Sequence, residues 1–286
     1  MIRISRRFFR EQPPPKANPA RRSVWAGLFL LVFLIGGIPP AVGQEADRVI
    51  VDGWPEPVGD KGVPKGWNLK EYKGSVAPGD IAVESVGGQS VLHLKAGKKS
   101  YFIGLEKLEI SVSKTPILTW RWKTQRLLKG ADARKEDADD QPVNLYVTFH
   151  PGKDGKVRAI GYLWDVGAPR CTYISAPGER SWWKRKILRA AGIPVTWYVI
   201  LRNGGTPLGT WFSEARDVAA DYRTLFGTDS VPDVQSVAVQ IDSATLGGQA
   251  ESWVGPIRFV ADRPPSKNTK PGAEPACEAL RPAPAP

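Results

Sequence analysis

Residues 142–149 read Pro-Val-Asn-Leu-Tyr-Val-Thr-Phe and alternate apolar with polar side chains. Residues 117–123, Ile-Leu-Thr-Trp-Arg-Trp-Lys, alternate in the same way. A period of two is typical of a β-strand that buries one face and exposes the other. The residues of the first segment predicted to face a core are Val143, Leu145, Val147 and Phe149. Those predicted to face away from it are Asn144, Tyr146 and Thr148.

Other short β-branched runs, bounded by Gly, Pro or Asp, occur at residues 49–51, 81–86, 91–94, 160–164, 195–201, 234–241 and 253–260. One segment has helical spacing instead. It runs over 213–226, with Ser213 as N-cap and Gly227 as the C-terminal stop. Many short strands with a single helix predict a mainly β fold, a two-sheet antiparallel sandwich of the jelly-roll kind.

The first 43 residues follow the order of an export signal. Seven Lys and Arg residues lead into an apolar run over 24–38, and Ala41-Val42-Gly43 has the small-x-small pattern of a signal-peptidase site. The run has 15 residues, fewer than the ~20 that a membrane-spanning helix needs. We therefore expect residues 1–43 to touch the membrane transiently and the protein to reach the periplasm or cell envelope. A retained membrane anchor is the alternative, and Ser5-Arg6-Arg7 leaves the twin-arginine route open.

The charge of the chain is concentrated in this predicted signal. The formal net charge is +11, of which residues 1–43 carry +6, from seven basic residues and one acidic residue, so +5 is left. The sequence also has no zinc-finger, basic-zipper or RNA-recognition motif. Nucleic acid is therefore not an expected partner.

Residues 44–262 are the predicted sandwich domain. Residues 263–286 are rich in Pro and Ala and are predicted to be a disordered tail. Cys171 and Cys277 would reach an oxidising compartment after export, so a disulfide is allowed. The position of Cys277 in the tail leaves the pairing open.

Signatures of known catalytic classes are missing from the sequence. It has no GxSxG, HExxH, P-loop or dinucleotide motif, and of its two histidines His93 is expected to lie exposed on a strand. Carboxylates are then the candidate catalytic groups, because a pair of them can serve as acid and base on a polysaccharide. The candidates are Asp139, Asp140, Glu214 and Asp242.

The acidic loop at 129–141 is a candidate metal site. Oxygen atoms of Asp137, Asp139 and Asp140 are ligands of the kind that Ca²⁺ takes. Basic residues interspersed in the loop favour a solvated loop without metal, so no cofactor is expected, and Ca²⁺ stays the alternative.

Tryptophan is abundant, with 11 residues in the chain. Its broad apolar face and single N–H suit it to stacking on sugar rings. Four tryptophans are predicted to lie in the core: Trp120, Trp122, Trp164 and Trp197. Trp182 and Trp183 lie among basic residues in a polar loop and are predicted to be exposed, where they would suit an anionic glycan.

The order of several motifs resembles that of an uncharacterised bacterial family, domain of unknown function 3047, whose members are mostly exported. The resemblance rests on residues 116–123, Asp139-Asp140 ahead of the strand at 146–149, and residues 211–227 and 237–245. It implies a β-rich exported domain similar to carbohydrate-binding sandwiches, with no established activity. The stretch 167–192 departs from the pattern. The motif positions are Asp139, Asp140, Trp211, Arg216, Asp217, Asp221 and Asp242.

Together these features favour a non-catalytic envelope module that binds a glycan or another envelope polymer. The candidate ligand-binding residues are Trp211, Arg216, Asp217, Asp221, Trp182 and Trp183. One alternative is a polysaccharide hydrolase or lyase that uses paired carboxylates. Another is a structural or assembly protein of the envelope, in which the motif charges brace the helix against a sheet.

Overall fold

The computed structural model describes residues 48–50, 54–176, 192–264 and 279–284, together with residues 181, 184, 186–187, 190 and 277. The predicted export signal, Trp182 and Trp183 lie outside the described residues. The chain from Gln44 to Pro286 groups into one compact unit. Within the described ranges, no helix has the length and apolar character needed to cross a membrane.

Seventeen strands and one α-helix make up the described fold. The strands are β1 (Arg48–Ile50), β2 (Pro57–Val58), β3 (Val63–Pro64), β4 (Asn68–Lys73), β5 (Ile81–Val86), β6 (Gln89–Gly97), β7 (Ser100–Ile110), β8 (Ile117–Arg126), β9 (Val143–Phe149), β10 (Arg158–Trp164), β11 (Thr172–Ser175), β12 (Val195–Arg202), β13 (Phe212–Asp217), β14 (Val234–Asp242), β15 (Gln249–Val254), β16 (Arg258–Val260) and β17 (Arg281–Pro282). The helix, α1, is Val218–Phe226, and a 3₁₀ turn covers Glu136–Ala138.

Most strands belong to two large sheets. The seven-stranded sheet has the order β1-β16-β8-β15-β6-β5, with β13 also paired to β8. The eight-stranded sheet has the order β17-β11-β12-β10-β9-β14-β7-β4. Neighbouring strands are antiparallel except for β10 with β12 and β11 with β17, which are parallel. This mainly β, two-sheet sandwich confirms the predicted fold class.

Side chains from both large sheets form one hydrophobic core. The alternating pattern of β9 is confirmed, because Val143, Leu145, Val147 and Phe149 are all buried in it. Trp120, Trp122 and Trp164 are buried there too, as predicted. Trp197 is only partly buried and packs against the edge of the core.

The helix is shorter than the sequence pattern predicts. Residues 212–217 form strand β13 on β8, and α1 begins at Val218. Asp217 is the N-cap, since its side chain accepts a hydrogen bond from the backbone N–H of Ala220, and Gly227 ends the helix in the left-handed region. Pairing with β8 overrides the helical spacing, because it buries alternate residues of the segment.

The described part of the C-terminal segment is joined to the sandwich at two points. Cys171 and Cys277 form a disulfide, and β17 pairs with β11. A cross-link between residues 106 positions apart removes much of the entropy of the unfolded chain. It therefore compensates for the small apolar content of this segment.

Candidate functional site on the outer face of the eight-stranded sheet

The outer face of the eight-stranded sheet carries residues that alternate with core residues along each strand. Phe102 lies between Tyr101 and Ile103, both of which belong to the core. Tyr146 lies in the same way between two core residues of β9. Because successive side chains of a strand point to opposite faces, Phe102 and Tyr146 face away from the core.

Four aromatic rings cross this face, and we call them the aromatic strip: Tyr72 on β4, Phe102 on β7, Tyr146 on β9 and Tyr198 on β12. Successive ring centroids are 5.1, 5.4 and 6.3 Å apart in that order. Tyr72 is 57% exposed, Phe102 and Tyr146 are partly exposed, and Tyr198 is 9% exposed. The strip is therefore open at the β4 edge and becomes enclosed toward β12.

A glycine makes room for the middle of the strip. Gly161 on β10 is the register partner of Tyr146. A β-carbon at Gly161 would come within 2.8 Å of the Tyr146 ring and 3.2 Å of the Tyr198 ring. The missing side chain thus leaves space for both rings to lean over β10.

The loop that follows β10 closes the β12 end of the strip. Asp165 holds this loop in place, because its carboxylate accepts the backbone N–H groups of Ala133 at 3.0 Å and Ala168 at 2.6 Å. Burial raises the pKa of Asp165 to about 6. The loop covers a small second apolar cluster, which contains Ala133, Leu163, Ala168, Tyr198 and Ile200.

Hydrogen-bonded polar side chains lie next to the strip. Gln141 Nε2 donates to Asp139 Oδ1 at 2.7 Å. Asn144 Nδ2 donates to the side-chain oxygens of Gln141 and Gln240, each at 3.1 Å. Asn144 is fully buried, and its Oδ1 has no hydrogen-bond partner among the described residues. A buried acceptor of this kind is rare without a partner, so the position suits a ligand hydroxyl or a water.

The chain of hydrogen bonds continues to Asp242 at the end of β14. Gln240 Nε2 donates to Asp242 Oδ2 at 3.2 Å, and Ser100 Oγ donates to the same oxygen at 2.8 Å. Burial raises the pKa of Asp242 to about 7, and the neighbouring Asp140 carboxyl raises it too. We call the whole set the polar cluster: Ser100, Asp139, Asp140, Gln141, Asn144, Gln240 and Asp242.

The polar cluster contacts the enclosed end of the strip. Burial is the main cause of a raised pKa at the hydroxyls of Tyr146 and Tyr198, and the negative charges of Asp139 and Asp242 add to it. The Asn144 side chain also hydrogen-bonds to Tyr146. The arrangement combines flat apolar rings with hydrogen-bond donors and acceptors along one side.

Three of the predicted catalytic carboxylates belong to the polar cluster, Asp140 beside Asp242 and Asp139 through Gln141. Asp140 is fully buried, and its two oxygens accept the backbone N–H groups of Thr245 at 3.0 Å and Leu246 at 2.6 Å. It therefore holds the loop after β14. Asp139 and Asp242 are only partly buried.

Glu214, the fourth catalytic candidate, lies away from this cluster. It faces the interior from β13, where it accepts hydrogen bonds from Trp122 Nε1 at 3.0 Å and Arg202 Nε at 2.6 Å. Glu214 therefore belongs to a strand and not to the helix predicted over 213–226.

Arg216 and Asp221 form a buried ion pair beneath α1. Arg216 Nε donates to Asp221 Oδ2 at 2.9 Å, and Tyr162 Oη donates to the same oxygen at 2.8 Å. With Asp217 as the N-cap, these three ligand-binding candidates hold the helix to the sheets. Trp211, in contrast, lies on the outer face of the seven-stranded sheet, beside Arg121 and Lys123.

The predicted calcium ligands do not come together. No group of three or more His, Cys, Asp or Glu side chains is arranged to hold a metal in the part of the chain that the structure describes. Asp137 is exposed, whereas both oxygens of Asp140 are taken by backbone N–H groups.

A cleft of about 420 Å³ lies at the end of β6 and β15, apart from the strip. Its lining contains no aromatic residue. Two of its acidic residues are already paired, Asp80 with Lys99 and Glu251 with Arg126. This charge-compensated cleft suits a sugar less well than the aromatic strip does.

The sequence indicated part of the strip but not the whole. Alternation along β9 already placed Asn144 and Tyr146 on the face away from the core. Tyr72, Phe102 and Tyr198 were missed, because their strands gain a common face only through sheet register.

A family model described as "Protein of unknown function (DUF3047)" matches residues 65–258. No curated protein matches the chain.

Among solved structures, the family 11 carbohydrate-binding module of cellulosomal cellulase Lic26A-Cel5E of Clostridium thermocellum aligns over 75% of this chain and 95% of its own, at 11% identity and a TM-score of 0.36. A mannan-recognising module, TmCBM27, aligns over 76% and 99%, at 12% identity and a TM-score of 0.31. The family 11 xylanase from Neocallimastix patriciarum aligns over 77% and 95%, at 10% identity and a TM-score of 0.31. Similarities at this level carry no information about ligand or activity.

Proposed function

The chain belongs to the DUF3047 family, whose description assigns no activity, and from its own surface we propose that it is an exported, non-catalytic module that binds a glycan across the aromatic strip. The observation that carries this proposal is the strip itself, a row of rings that extends from the exposed Tyr72 to the enclosed Tyr198. An extended chain of sugar rings matches a row of rings better than a compact ligand does.

Stacking supplies the apolar part of such binding. One face of a pyranose ring presents mainly C–H groups, which pack on the faces of aromatic side chains. Phe102 and Tyr146 are partly exposed and contact each other, so a sugar placed over them would bury apolar surface on both partners. Lys70 lies over the Tyr72 ring at 5.1 Å and marks the open end.

The polar cluster supplies the directional contacts. Sugar hydroxyls both donate and accept hydrogen bonds, and binding sites for small ligands pair apolar walls with a few well-placed polar groups. Asp139 and Asp242 are the carboxyl groups within reach, and Asn144 Oδ1 is an acceptor without a partner in the described chain. Because Asn144 is fully buried, a water at that oxygen would satisfy it and link it to a sugar hydroxyl.

One observation favours a second candidate function, a polysaccharide hydrolase or lyase. Asp242 has a pKa raised to about 7, so it holds a proton near neutral pH, as a general acid must. Asp139 is the second candidate carboxyl group, because Asp140 is fully buried. Release of new sugar ends that stops in Asp242→Asn would establish this function in place of simple binding.

The proposed function is tested by calorimetric titration of the purified protein with soluble neutral polysaccharides. Binding that falls about tenfold or more in Tyr146→Ala and in Phe102→Ala supports it, by analogy with nucleobases, whose stacking on one aromatic side chain is worth roughly 1–3 kcal/mol. Leu208→Ala is the matched control, because Leu208 is an exposed apolar residue away from the strip, at 45% exposure. Unchanged affinity in both ring variants, or no binding to any glucan, mannan or xylan, overturns the proposal.

A further inference from the structure

A second row of stacked side chains stands on the outer face of the seven-stranded sheet. His93 on β6 stacks on Trp253 on β15, with centroids 4.0 Å apart and 13° between the ring planes. Lys123 on β8 places its Nζ 3.8 Å from the centroid of the Trp253 ring. Trp211 lies 5.4 Å from the same Nζ and 4.5 Å from the guanidinium carbon of Arg121. We call Arg121, Lys123, Trp211 and Trp253 the cationic row.

Two carboxylates, Glu84 and Glu251, lie beside the Trp253 end of this row. The two ring nitrogens of His93 contact Glu84 at 2.6 Å and Glu251 at 3.1 Å. The second oxygen of Glu84 accepts Trp253 Nε1 at 2.9 Å, and Glu251 also contacts Arg126 at 3.4 Å.

Arg121 and Lys123 are the two cations of the row. Neither forms an ion pair with any residue that the structure describes. They are two residues apart on β8 and face the same side, which puts their backbone positions about 7 Å apart. Their charges consequently form a short linear array beside two indole rings.

Arg121 is held in place without a hydrogen-bond acceptor. Its side chain packs across Gly255, where a β-carbon would lie 2.8 Å from Nε. The Trp211 ring stacks on the Arg121 guanidinium. Its Nε and Nη2 are buried and have no hydrogen-bond partner among the described residues. Burial lowers the pKa of this guanidinium. Burying a charged guanidinium also has a desolvation cost. The cation–π contact with Trp211 offsets only part of this desolvation cost, and an anion at the guanidinium would offset more of it.

We propose that the cationic row is a second binding surface, selective for a polysaccharide that carries carboxylate groups. A guanidinium presents a planar fork of donors that matches a carboxylate, whereas the ammonium of Lys123 acts as a point charge. The indole edges of Trp211 and Trp253 provide apolar surface for the sugar rings between the charges. This surface does not depend on the aromatic strip, because the two faces belong to different sheets.

The ligand that tests the proposal is polygalacturonate, compared with its fully methyl-esterified form. Esterification removes the negative charges and leaves the sugar backbone unchanged. Titration at low ionic strength should show binding of the acid form and at least about tenfold weaker binding of the ester, and added salt should weaken the acid form's binding. Equal binding of ester and acid overturns the proposal.

Variants locate the binding on this face. Arg121→Gln and Lys123→Gln should each weaken polygalacturonate binding, and the double variant should lower it about tenfold or more, with loss of the ligand-induced change in tryptophan fluorescence. Lys114→Gln is the matched control, since it removes one charge from an exposed site elsewhere. If the melting temperature of Arg121→Gln shows that this variant does not fold, the test uses Lys123→Gln alone. Undiminished binding in the folded variants overturns the proposal.

Carboxylate recognition by the cationic row differs measurably from general attraction of anions and from binding on the aromatic strip. Dextran sulfate or DNA that binds as tightly as polygalacturonate, with the same loss in the variants, would show general anion attraction and overturn the carboxylate selectivity. Tyr146→Ala should leave polygalacturonate binding unchanged. A loss in Tyr146→Ala equal to that in the double variant would place the binding on the aromatic strip and overturn the proposal.

Discussion

The ring of Tyr146 occupies the space above Gly161, where a β-carbon would lie 2.8 Å from the ring edge. The two residues are register partners on β9 and β10. A glycine at this position therefore shapes the surface of a neighbouring strand. The contact links one backbone position to the orientation of the Tyr146 and Tyr198 rings.

Gly161→Ala should weaken binding of a neutral polysaccharide and destabilise the fold by about 1–3 kcal/mol, because the added methyl group must displace the rings of Tyr146 and Tyr198. Calorimetric titration and urea unfolding measure the two effects. Gly97→Ala is the control, since its added β-carbon would meet only one side-chain atom, of Gln249, at 4.0 Å. Full retention of both affinity and stability in Gly161→Ala would show that the glycine does not shape the strip.

The pKa of Asp242, raised to about 7, predicts a pH dependence of stability. Between pH of about 4 and 7 the folded protein keeps this proton, whereas the unfolded chain has lost it. The free energy of unfolding should therefore fall as pH rises through this range and change little above it. Asp165, with a pKa raised to about 6, contributes in the same direction.

Asp242→Asn should remove part of this slope, because an amide does not ionise. Urea unfolding of both proteins from pH of about 4 to about 8 measures the effect, and the variant should gain stability relative to the parent as pH rises. Parallel curves for the two proteins would mean that Asp242 ionises normally in the folded state. Asp154→Asn is the comparison with the opposite sign, and it acts below this range: Arg158 lowers the pKa of Asp154, so the stability that Asp154 contributes is lost only as pH falls below about 4.

The buried ion pair of Arg216 and Asp221 predicts a large loss of stability on truncation. Asp221→Ala should cost about 3–5 kcal/mol, because it leaves the Arg216 guanidinium buried without its carboxylate. A double-mutant cycle with Arg216→Ala, followed by urea unfolding, should show strong coupling. A cost below about 1 kcal/mol would show that the pair is solvated.

Asp217→Ala is the comparison for that cycle. It removes the N-cap of α1 and should cost about 0.5–2 kcal/mol. Its effect should add to that of Arg216→Ala, since Asp217 caps the backbone and does not contact the guanidinium. Strong coupling between these two residues would contradict the assignment of separate roles.

The disulfide between Cys171 and Cys277 predicts that reduction releases the C-terminal strand. The backbone N–H groups of Arg281 and Ala283 donate to the carbonyl oxygens of Cys171 and Tyr173, and they should exchange with solvent much faster after reduction. The domain should lose about 2–5 kcal/mol of stability. Hydrogen exchange of the double Cys→Ser variant measures the same change, and unaltered exchange at both amides would show that strand pairing alone holds β17.

Several features were predictable because they depend on short-range pattern. Alternation identified β8 and β9 with the correct inward faces, and the core positions of Trp120 and Trp122 followed from the same period. The outward face of His93 was also correct, but the prediction of its exposure was wrong, since Glu84, Glu251 and Trp253 bury it to 6%. Neighbours on other strands decide exposure, and a single strand's pattern does not contain them.

Local sequence thus sufficed for strand periodicity, for the Gly227 stop of the helix and for the chemical character of the candidate carboxylates. The export signal stays a prediction of the sequence. Tertiary structure alone decided which polar groups meet, because sheet register brings Asn144 of β9 opposite Gln240 of β14 across 96 residues of chain. It also placed Glu214 and Arg216 in a strand. Their spacing fits both the period of a helix and the period of a strand, and only pairing with β8 selects the strand. Long-range pairing is a property of the packed chain, and no short window of sequence encodes it.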